Sequence, residues 1–88
     1  MEVRWNEAKN DELRRTRGVC FEDVEAAIKT DKILAFTPHP GRGNQEIMFL
    51  ALNDYIYAVP FVRESDGVVF LKTIFPSRKA MRKWGGKP

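Results

Sequence analysis

Three short apolar runs in the second half of the chain constrain its fold more than any other feature. The runs are rich in Val, Ile, Phe and Tyr, which favours strands over buried helices. Asn53-Asp54 and a turn around Asp66-Gly67 separate the runs, and both are typical of hairpins. The sequence therefore predicts an antiparallel meander with strands at Ile47–Leu52, Tyr55–Val62 and Val68–Phe75.

A shorter apolar run, Ile33–Phe36, predicts one further strand before the meander. The loop that follows it, Thr37–Asn44, contains two prolines and two glycines. Pro60 lies inside the run Tyr55–Val62, where its missing N–H would break a hydrogen bond of the strand ladder. We therefore expect Pro60 to lie on an edge strand or at a β-bulge.

Two helices are predicted before these strands. Asn6 can cap a helix over Glu7–Arg17, in which acidic residues precede basic ones as the helix dipole favours, and Gly18 ends it. A second helix follows, because apolar residues recur at helical spacing at Phe21, Val24, Ala27 and Ile28.

A short third helix is predicted near the C-terminal end. Pro76 ends the last strand, Ser77 can cap a helix over Arg78–Trp84, and Gly85-Gly86 stops that helix. With a short extended start at Val3–Trp5, the predicted order is β-α-α-β-β-β-β-α. We expect an α+β fold in which the two N-terminal helices pack on a curled antiparallel sheet.

Chain length and residue usage limit the classes of protein that fit. The 88 residues suit one domain, 1–88, and no apolar run approaches the ~20 residues of a membrane span. No apolar stretch of signal-peptide type follows Met1, so we expect a soluble, cytoplasmic protein. With one cysteine, Cys20, and one histidine, His39, we expect no internal disulfide, no metal site and no cofactor.

Charge is distributed unevenly along the chain. Lys72–Pro88 holds six basic residues and no acidic one, whereas Gly18–Leu71 holds eight acidic residues against four basic. A local basic field of this kind attracts polyanions, usually RNA or DNA. The alternative is a solvated helical face that keeps a small protein soluble.

The two ends of the chain, taken together, resemble the BrnT family of toxins, which belongs to the RelE superfamily. Such proteins open with an aromatic residue at a strand end, a helix that carries Lys-Asn, and a basic residue before Gly-Val-x-Phe-Glu. A basic block precedes their last helix. The matching segments here are Arg4-Trp5-Asn6, Lys9-Asn10, Arg17-Gly18-Val19, Phe21-Glu22, Val59-Pro60-Phe61-Val62 and Phe70–Ala80.

The resemblance implies a RelE-like fold and the toxin component of a type II toxin–antitoxin system. Such toxins cut RNA, arrest translation and are held inactive by a cognate antitoxin. In BrnT systems the antitoxin is a small ribbon-helix-helix protein, and the pair represses its own operon. We would therefore expect contact with operator DNA only through the complex.

The sequence also departs from the family pattern. Glu46 is followed by Ile47, where BrnT-like proteins usually carry a Glu-Arg pair. An arginine usual after the next apolar run is missing, so that Arg63 is the nearest cation, and Lys72 stands where an arginine is common. These departures leave open a catalytically degenerate toxin that acts as an antitoxin partner, an operon co-repressor or a nucleic-acid-binding module.

Metal-independent RNA cleavage needs a base for the 2′-hydroxyl proton, cations for the phosphorane and an acid for the leaving oxygen. Glu46, at the start of the meander, is the candidate base, and the alternative is a solvent-facing strand residue. Arg78, beside the helix start, and Lys72 are the candidate phosphate-binding catalytic residues. If Ile74 points to the core, strand alternation directs Lys72 to the core or to a cleft.

Further residues are candidates for binding RNA. Trp84 can stack on a base, whereas Tyr57 and Phe61 are expected in the core. His39, between two prolines, is either a proton shuttle or a turn residue, and Gly41–Asn44 is expected to be a flexible turn. The basic candidates, each of which could instead be a solvated surface residue, are Lys9, Arg17, Lys79, Arg82 and Lys83.

Overall fold

A computed structural model describes residues 1–85 of the chain. These residues form six strands and three helices. In chain order they are β1 Glu2–Arg4, α1 Glu7–Arg17, α2 Phe21–Lys29, β2 Ile33–Pro38, β3 Glu46–Leu52, β4 Tyr55–Ser65, β5 Val68–Leu71, β6 Phe75–Pro76 and α3 Arg78–Trp84. Residues 86–88, which include Gly86 of the predicted helix stop and the end of the basic segment Lys72–Pro88, lie outside the described residues.

The helix boundaries agree with the predictions because side chains at the helix ends set them. Asn6 accepts a hydrogen bond from the backbone N–H of Lys9 at 2.9 Å, and Ser77 accepts one from Ala80 at 3.1 Å. Gly18 has a φ of 68°, the left-handed conformation in which a glycine ends a helix. None of the described helices is long and apolar enough to cross a membrane.

The sheet has the strand order β1-β5-β4-β3-β2, and β6 also pairs with β4. Strands β3 to β5 form the predicted antiparallel meander, β2 pairs antiparallel with β3, and β1 adds a parallel strand beside β5. Asn53 and Asp54 both have positive φ, 50° and 66°, as expected for the central residues of a type I′ hairpin turn. The order of elements confirms the predicted α+β fold.

The prediction of one continuous last strand, Val68–Phe75, is wrong, and the strand is interrupted where it faces Pro60 of β4. The carbonyl of Pro60 accepts a hydrogen bond from the N–H of Lys72 at 2.8 Å, but Pro60 has no N–H to donate in return. Phe61 pairs with Leu71, and Ala58 pairs with Phe75. The two paired positions are three residues apart on β4 but four residues apart on the facing segment. The run Val68–Phe75 is thus split into β5 and β6 by an irregular segment with one extra residue.

The position of Pro60 itself corrects a second expectation. β4 is an interior strand, and Pro60 pairs on its other side with Ile47 of β3, so the predicted edge position is wrong. The irregularity falls in the facing segment 72–74, next to the missing donor. A proline is accommodated inside this sheet because the neighbouring ladder is interrupted there.

The hydrophobic core lies between one side of the sheet and the pair α1–α2, and we call this side the helix-pair face. Phe21 and Val24 of α2 pack there against fully buried strand residues such as Met48, Leu50 and Phe61. Phe61 therefore lies in the core as predicted, and Tyr57 packs against it. The alternate residues of β3 point to the other side, the α3 face, where Phe49 meets Trp84 of α3.

Candidate functional site

A groove of about 400 Å³ opens on the α3 face between the loop after β2 and the irregular segment after β5. Two cationic side chains, Arg42 and Lys72, line it together with His39. Its other lining residues are Gln45, Pro60, Thr73 and Phe75, so no carboxylate is among them. We call it the phosphate groove, because its lining combines positive charge with hydrogen-bond donors.

Lys72 is held at the edge of this groove by the backbone bond to Pro60. Its side chain is exposed, and its Nζ lies 5.4 Å from the ring centroid of Phe70, within cation–π distance. Ile74 is 0% exposed in the core, so Lys72 does not share its direction. The strand alternation assumed from the sequence does not hold, because residues 72–74 are not in a strand, and Lys72 faces a cleft.

Internal hydrogen bonds close the loop that forms the other wall. The backbone N–H of His39 donates to the carbonyl of Gln45 at 3.0 Å, and the N–H of Gln45 donates to the carbonyl of Arg42 at 3.1 Å. The N–H of Gly41 donates to Nδ1 of His39 at 3.0 Å. His39 is thus a turn residue, as one alternative expected, and it also lines the groove.

A second groove of about 330 Å³, the aromatic groove, lies beside α3. Trp84 is 37% exposed, its ring centroid lies 5.7 Å from that of Phe49, and Nζ of Lys83 is 5.0 Å from the Trp84 ring. The complete lining is Thr37, Phe49, Ser77, Lys79, Ala80, Lys83 and Trp84.

The two grooves are neighbours on the same side of the sheet. Thr37 of the aromatic groove pairs with Ile47, and Ile47 pairs with Pro60 of the phosphate groove. Directly paired residues of adjacent strands point to the same face. The chain from Phe75 to Ser77 also runs from one groove to the other. A single extended ligand could therefore contact both.

Glu46 is not brought together with these residues. It pairs with Phe61, which is buried on the helix-pair face, whereas Lys72 lines the α3 face. Two hydrogen bonds, of 2.6 and 3.2 Å, join its carboxylate to Arg63. They lower the pKa of Glu46, and the same contact raises the pKa of Arg63. The grouping of Glu46 with Lys72 and Arg78 expected from the sequence is therefore not formed in the structure.

The remaining predicted residues lie in different environments. Arg17 donates a hydrogen bond to the carbonyl of Ile74 at 2.5 Å, and Lys9 lies 3.5 Å from Glu12 within α1. Arg78 and Arg82 are exposed on α3 but line neither groove. Lys79, Lys83 and Trp84 are brought together in the aromatic groove.

Sequence reasoning missed two residues that line the phosphate groove, one of them in the loop Thr37–Asn44. Arg42 was treated as part of a turn, and Thr73 as part of a strand, although both line the phosphate groove. The available signal was that Arg42 is among the few basic residues of the acidic middle segment. Within residues 1–85 no three His, Cys, Asp or Glu side chains are grouped as they would be to hold a metal ion.

Two helices on one side of a mainly antiparallel sheet, with a short basic helix on the other, define an α+β fold. The structure is similar to the crystal structure of the ribonuclease toxin BrnT from Brucella abortus, with a TM-score of 0.64. The two are 18% identical in sequence, and the match covers 88% of this chain and 96% of that one. No family model and no curated protein matches the sequence. The chain thus has a BrnT-like toxin fold, as the sequence predicted.

Proposed function

We propose that this protein is the toxin component of a type II toxin–antitoxin system, a metal-independent endoribonuclease that inhibits translation. The observation that carries the proposal is the likeness of fold to a ribonuclease toxin over 88% of this chain and 96% of the other. The cationic grooves on the α3 face support it, because they suit a polyanion. Its substrate would be RNA, and it would act in the cytoplasm.

The proposed reaction is an internal transphosphorylation. The 2′-oxygen of a ribose forms a bond to phosphorus, the bond from phosphorus to the 5′-oxygen breaks, and a 2′,3′-cyclic phosphate and a 5′-hydroxyl result. The 2′-hydroxyl proton passes to water, and a proton from water completes the 5′-hydroxyl. Lys72 would stabilise the negative charge that gathers on the phosphorane oxygens, which is commonly the largest contribution to such catalysis.

The neighbouring residues would bind the rest of the RNA strand. Lys79 and Lys83 flank the aromatic groove, where Trp84 offers part of its ring for stacking on a base. Arg78 and Arg82, exposed on α3, would contact backbone phosphates. Glu46 is left out of this site because it lies on the helix-pair face in an ion pair with Arg63.

The test is induced expression in bacteria of wild type beside Lys72→Ala and Arg78→Ala, with growth and RNA integrity as readouts. Arg15→Ala, which removes an exposed cation on α1, is the matched control. We expect growth arrest and RNA loss from wild type and Arg15→Ala, and relief in both site variants. Folded wild-type protein that neither arrests growth nor cuts RNA would refute the ribonuclease proposal.

One observation favours a second candidate, a catalytically degenerate toxin that serves as antitoxin partner and operon co-repressor. Among residues 1–85, the linings of the two grooves contain no carboxylate that could act as a base. The partner would be a cognate antitoxin of the ribbon-helix-helix type, and operator DNA would be bound only through the complex. Repression of the operon by the complex, from a toxin that shows no RNA cleavage, would support this candidate.

A further inference from the structure

We infer that His39 donates a hydrogen bond from Nε2 to a phosphodiester oxygen of RNA in the phosphate groove, and is not the proton acceptor of the reaction. The inference deepens the proposed function and depends on it for RNA as the source of the phosphate. It names a binding residue at a position where a histidine would ordinarily suggest general-base chemistry.

The hydrogen bond from Gly41 determines what the imidazole can do. The N–H of Gly41 donates to Nδ1 of His39 at 3.0 Å, so Nδ1 must carry a lone pair. In a neutral imidazole one nitrogen is a donor and the other an acceptor, so the hydrogen is on Nε2. Neither nitrogen then has a free lone pair to receive the 2′-hydroxyl proton, whereas Nε2–H has no acceptor among the described residues and can donate to a ligand.

The loop fixes this donor before any ligand arrives. His39 lies between Pro38 and Pro40, and a residue that precedes proline is restricted to extended backbone conformations. Its backbone N–H is bonded to the carbonyl of Gln45, across the base of the loop. A donor held in place by the backbone loses little conformational entropy when it binds a ligand.

The other lining groups of the groove favour an anion. Arg42 and Lys72 supply positive charge, and Thr73 and Gln45 supply neutral donors. Because none of the described residues that line the groove carries a carboxylate, none of them would repel a phosphate. The planar guanidinium of Arg42 can bind both non-bridging oxygens of a phosphodiester at once, and each of these oxygens can still accept a hydrogen bond from His39 or Lys72.

A first measurement needs no variant. The chain contains one histidine, so the ring nitrogens of His39 are unambiguous in a ¹⁵N NMR spectrum of the whole protein. At a pH where the ring is neutral, we expect the spectrum of the tautomer with hydrogen on Nε2. A neutral ring with its hydrogen on Nδ1 would overturn the inference.

A second measurement separates a donor from a base by substitution. His39→Gln keeps an amide N–H near the Nε2 position. His39→Asn keeps an amide group only near the Nδ1 position, and His39→Ala keeps neither. The probe is a 2′-O-methyl RNA oligonucleotide, which cannot be cleaved, so its affinity is independent of whether the protein is a ribonuclease. We expect the Asn and Ala variants to bind about tenfold more weakly and the Gln variant to stay near wild type.

Inorganic phosphate serves to locate the site and to distinguish free phosphate from RNA. We expect it to shift the backbone amide signals of Gly41 and Lys72 in wild type, and the oligonucleotide to displace it. Arg42→Ala, which keeps His39, should weaken both ligands about tenfold and locates the site independently of the His39 variants; if those do not fold, the ¹⁵N spectrum of wild type still tests the assignment of the donor. Equal affinity in all His39 variants, or no competition between the two ligands, would refute the assignment, whether or not the protein cleaves RNA.

Discussion

Asn10 is a fully buried polar residue, 0% exposed, that joins the first two helices. Its Oδ1 accepts a hydrogen bond from the backbone N–H of Phe21 at 2.7 Å, and its Nδ2 donates to Glu22 at 2.8 Å. The N–H of Phe21 is at the start of α2, where a helix has no internal partner for it. The Lys-Asn and Phe-Glu motifs of the resemblance therefore meet in one structural contact.

Replacing Asn10 should cost substantial stability. Asn10→Ala leaves the buried N–H of Phe21 without its acceptor, and an unsatisfied buried group costs about 1–3 kcal/mol. We expect the free energy of unfolding, measured by urea denaturation, to fall by about that amount. Asn44→Ala, in the exposed loop after β2, is the control and should change it by less than about 0.5 kcal/mol. Equal stability of the two variants would show that the contact contributes nothing.

The same contact predicts a dependence of stability on pH. The hydrogen bond from Asn10 lowers the pKa of Glu22 below its ordinary value of 4.5, and Arg14 contributes to the shift. A carboxylate with a lowered pKa in the folded state stabilises the protein above the unfolded pKa. That stabilisation is lost as the pH falls through the folded pKa. Urea midpoints of wild type should therefore decline below about pH 4.5, and less steeply in Asn10→Ala. Parallel declines would exclude this linkage.

At the scale of elements, sequence reasoning succeeded where the cause is local. α1 and α3 were predicted to the residue, because Asn6, Gly18 and Ser77 act within one turn of the helix. The split of the last strand could not be predicted, because it depends on which residue faces Pro60 across the sheet. The parallel pairing of β1 with β5 joins distant parts of the chain and has no local signal.

The candidate site shows the same limit. Glu46 and Lys72 were grouped by chemical type, but the register of the strands places them on opposite faces. Arg63 was noted only as the nearest cation, and its bidentate contact with Glu46 depends on the pairing of β3 with β4. Residue types alone predicted a protein that binds polyanions, which stays a prediction, whereas the face on which each of these side chains lies depends on the sheet.

Arg17 connects α1 to the segment that precedes α3, so replacing it should destabilise the contact between these elements. Its guanidinium donates to the carbonyl of Ile74, and a bond to a charged group is worth about 1.5–3 kcal/mol. Arg17→Ala should lower the free energy of unfolding by an amount in that range, while Arg15→Ala changes it little. The measurement is urea denaturation beside RNA binding. Unchanged stability with weaker RNA binding would instead make Arg17 an RNA contact.

Across the described part of the molecule, net positive charge lies on one side of the sheet, because α3 has four basic residues and no acidic one, whereas α1 and α2 together have five basic and six acidic residues. The linings of the two grooves carry Arg42, Lys72, Lys79 and Lys83, and α3 adds further cations. The acidic residues that the charge count found in the middle of the chain include Glu22, Asp23 and Glu25 on α2, on the other side of the sheet. Such a distribution attracts an approaching polyanion toward the α3 face, and salt weakens this electrostatic attraction.

The salt dependence of RNA binding tests this distribution directly. Each phosphate neutralised on a single strand contributes about −0.7 to the slope of log K against log salt. If Arg42 and Lys72 share one phosphate and Lys79 and Lys83 each contact another, these three phosphates contribute about −2 to the slope for a 2′-O-methyl oligonucleotide. Lys79→Ala and Lys83→Ala should each reduce its magnitude by about 0.7, while Lys29→Ala, on α2, leaves it unchanged. An equal reduction from Lys29→Ala would mean that RNA binds the net charge of the protein and not the α3 face.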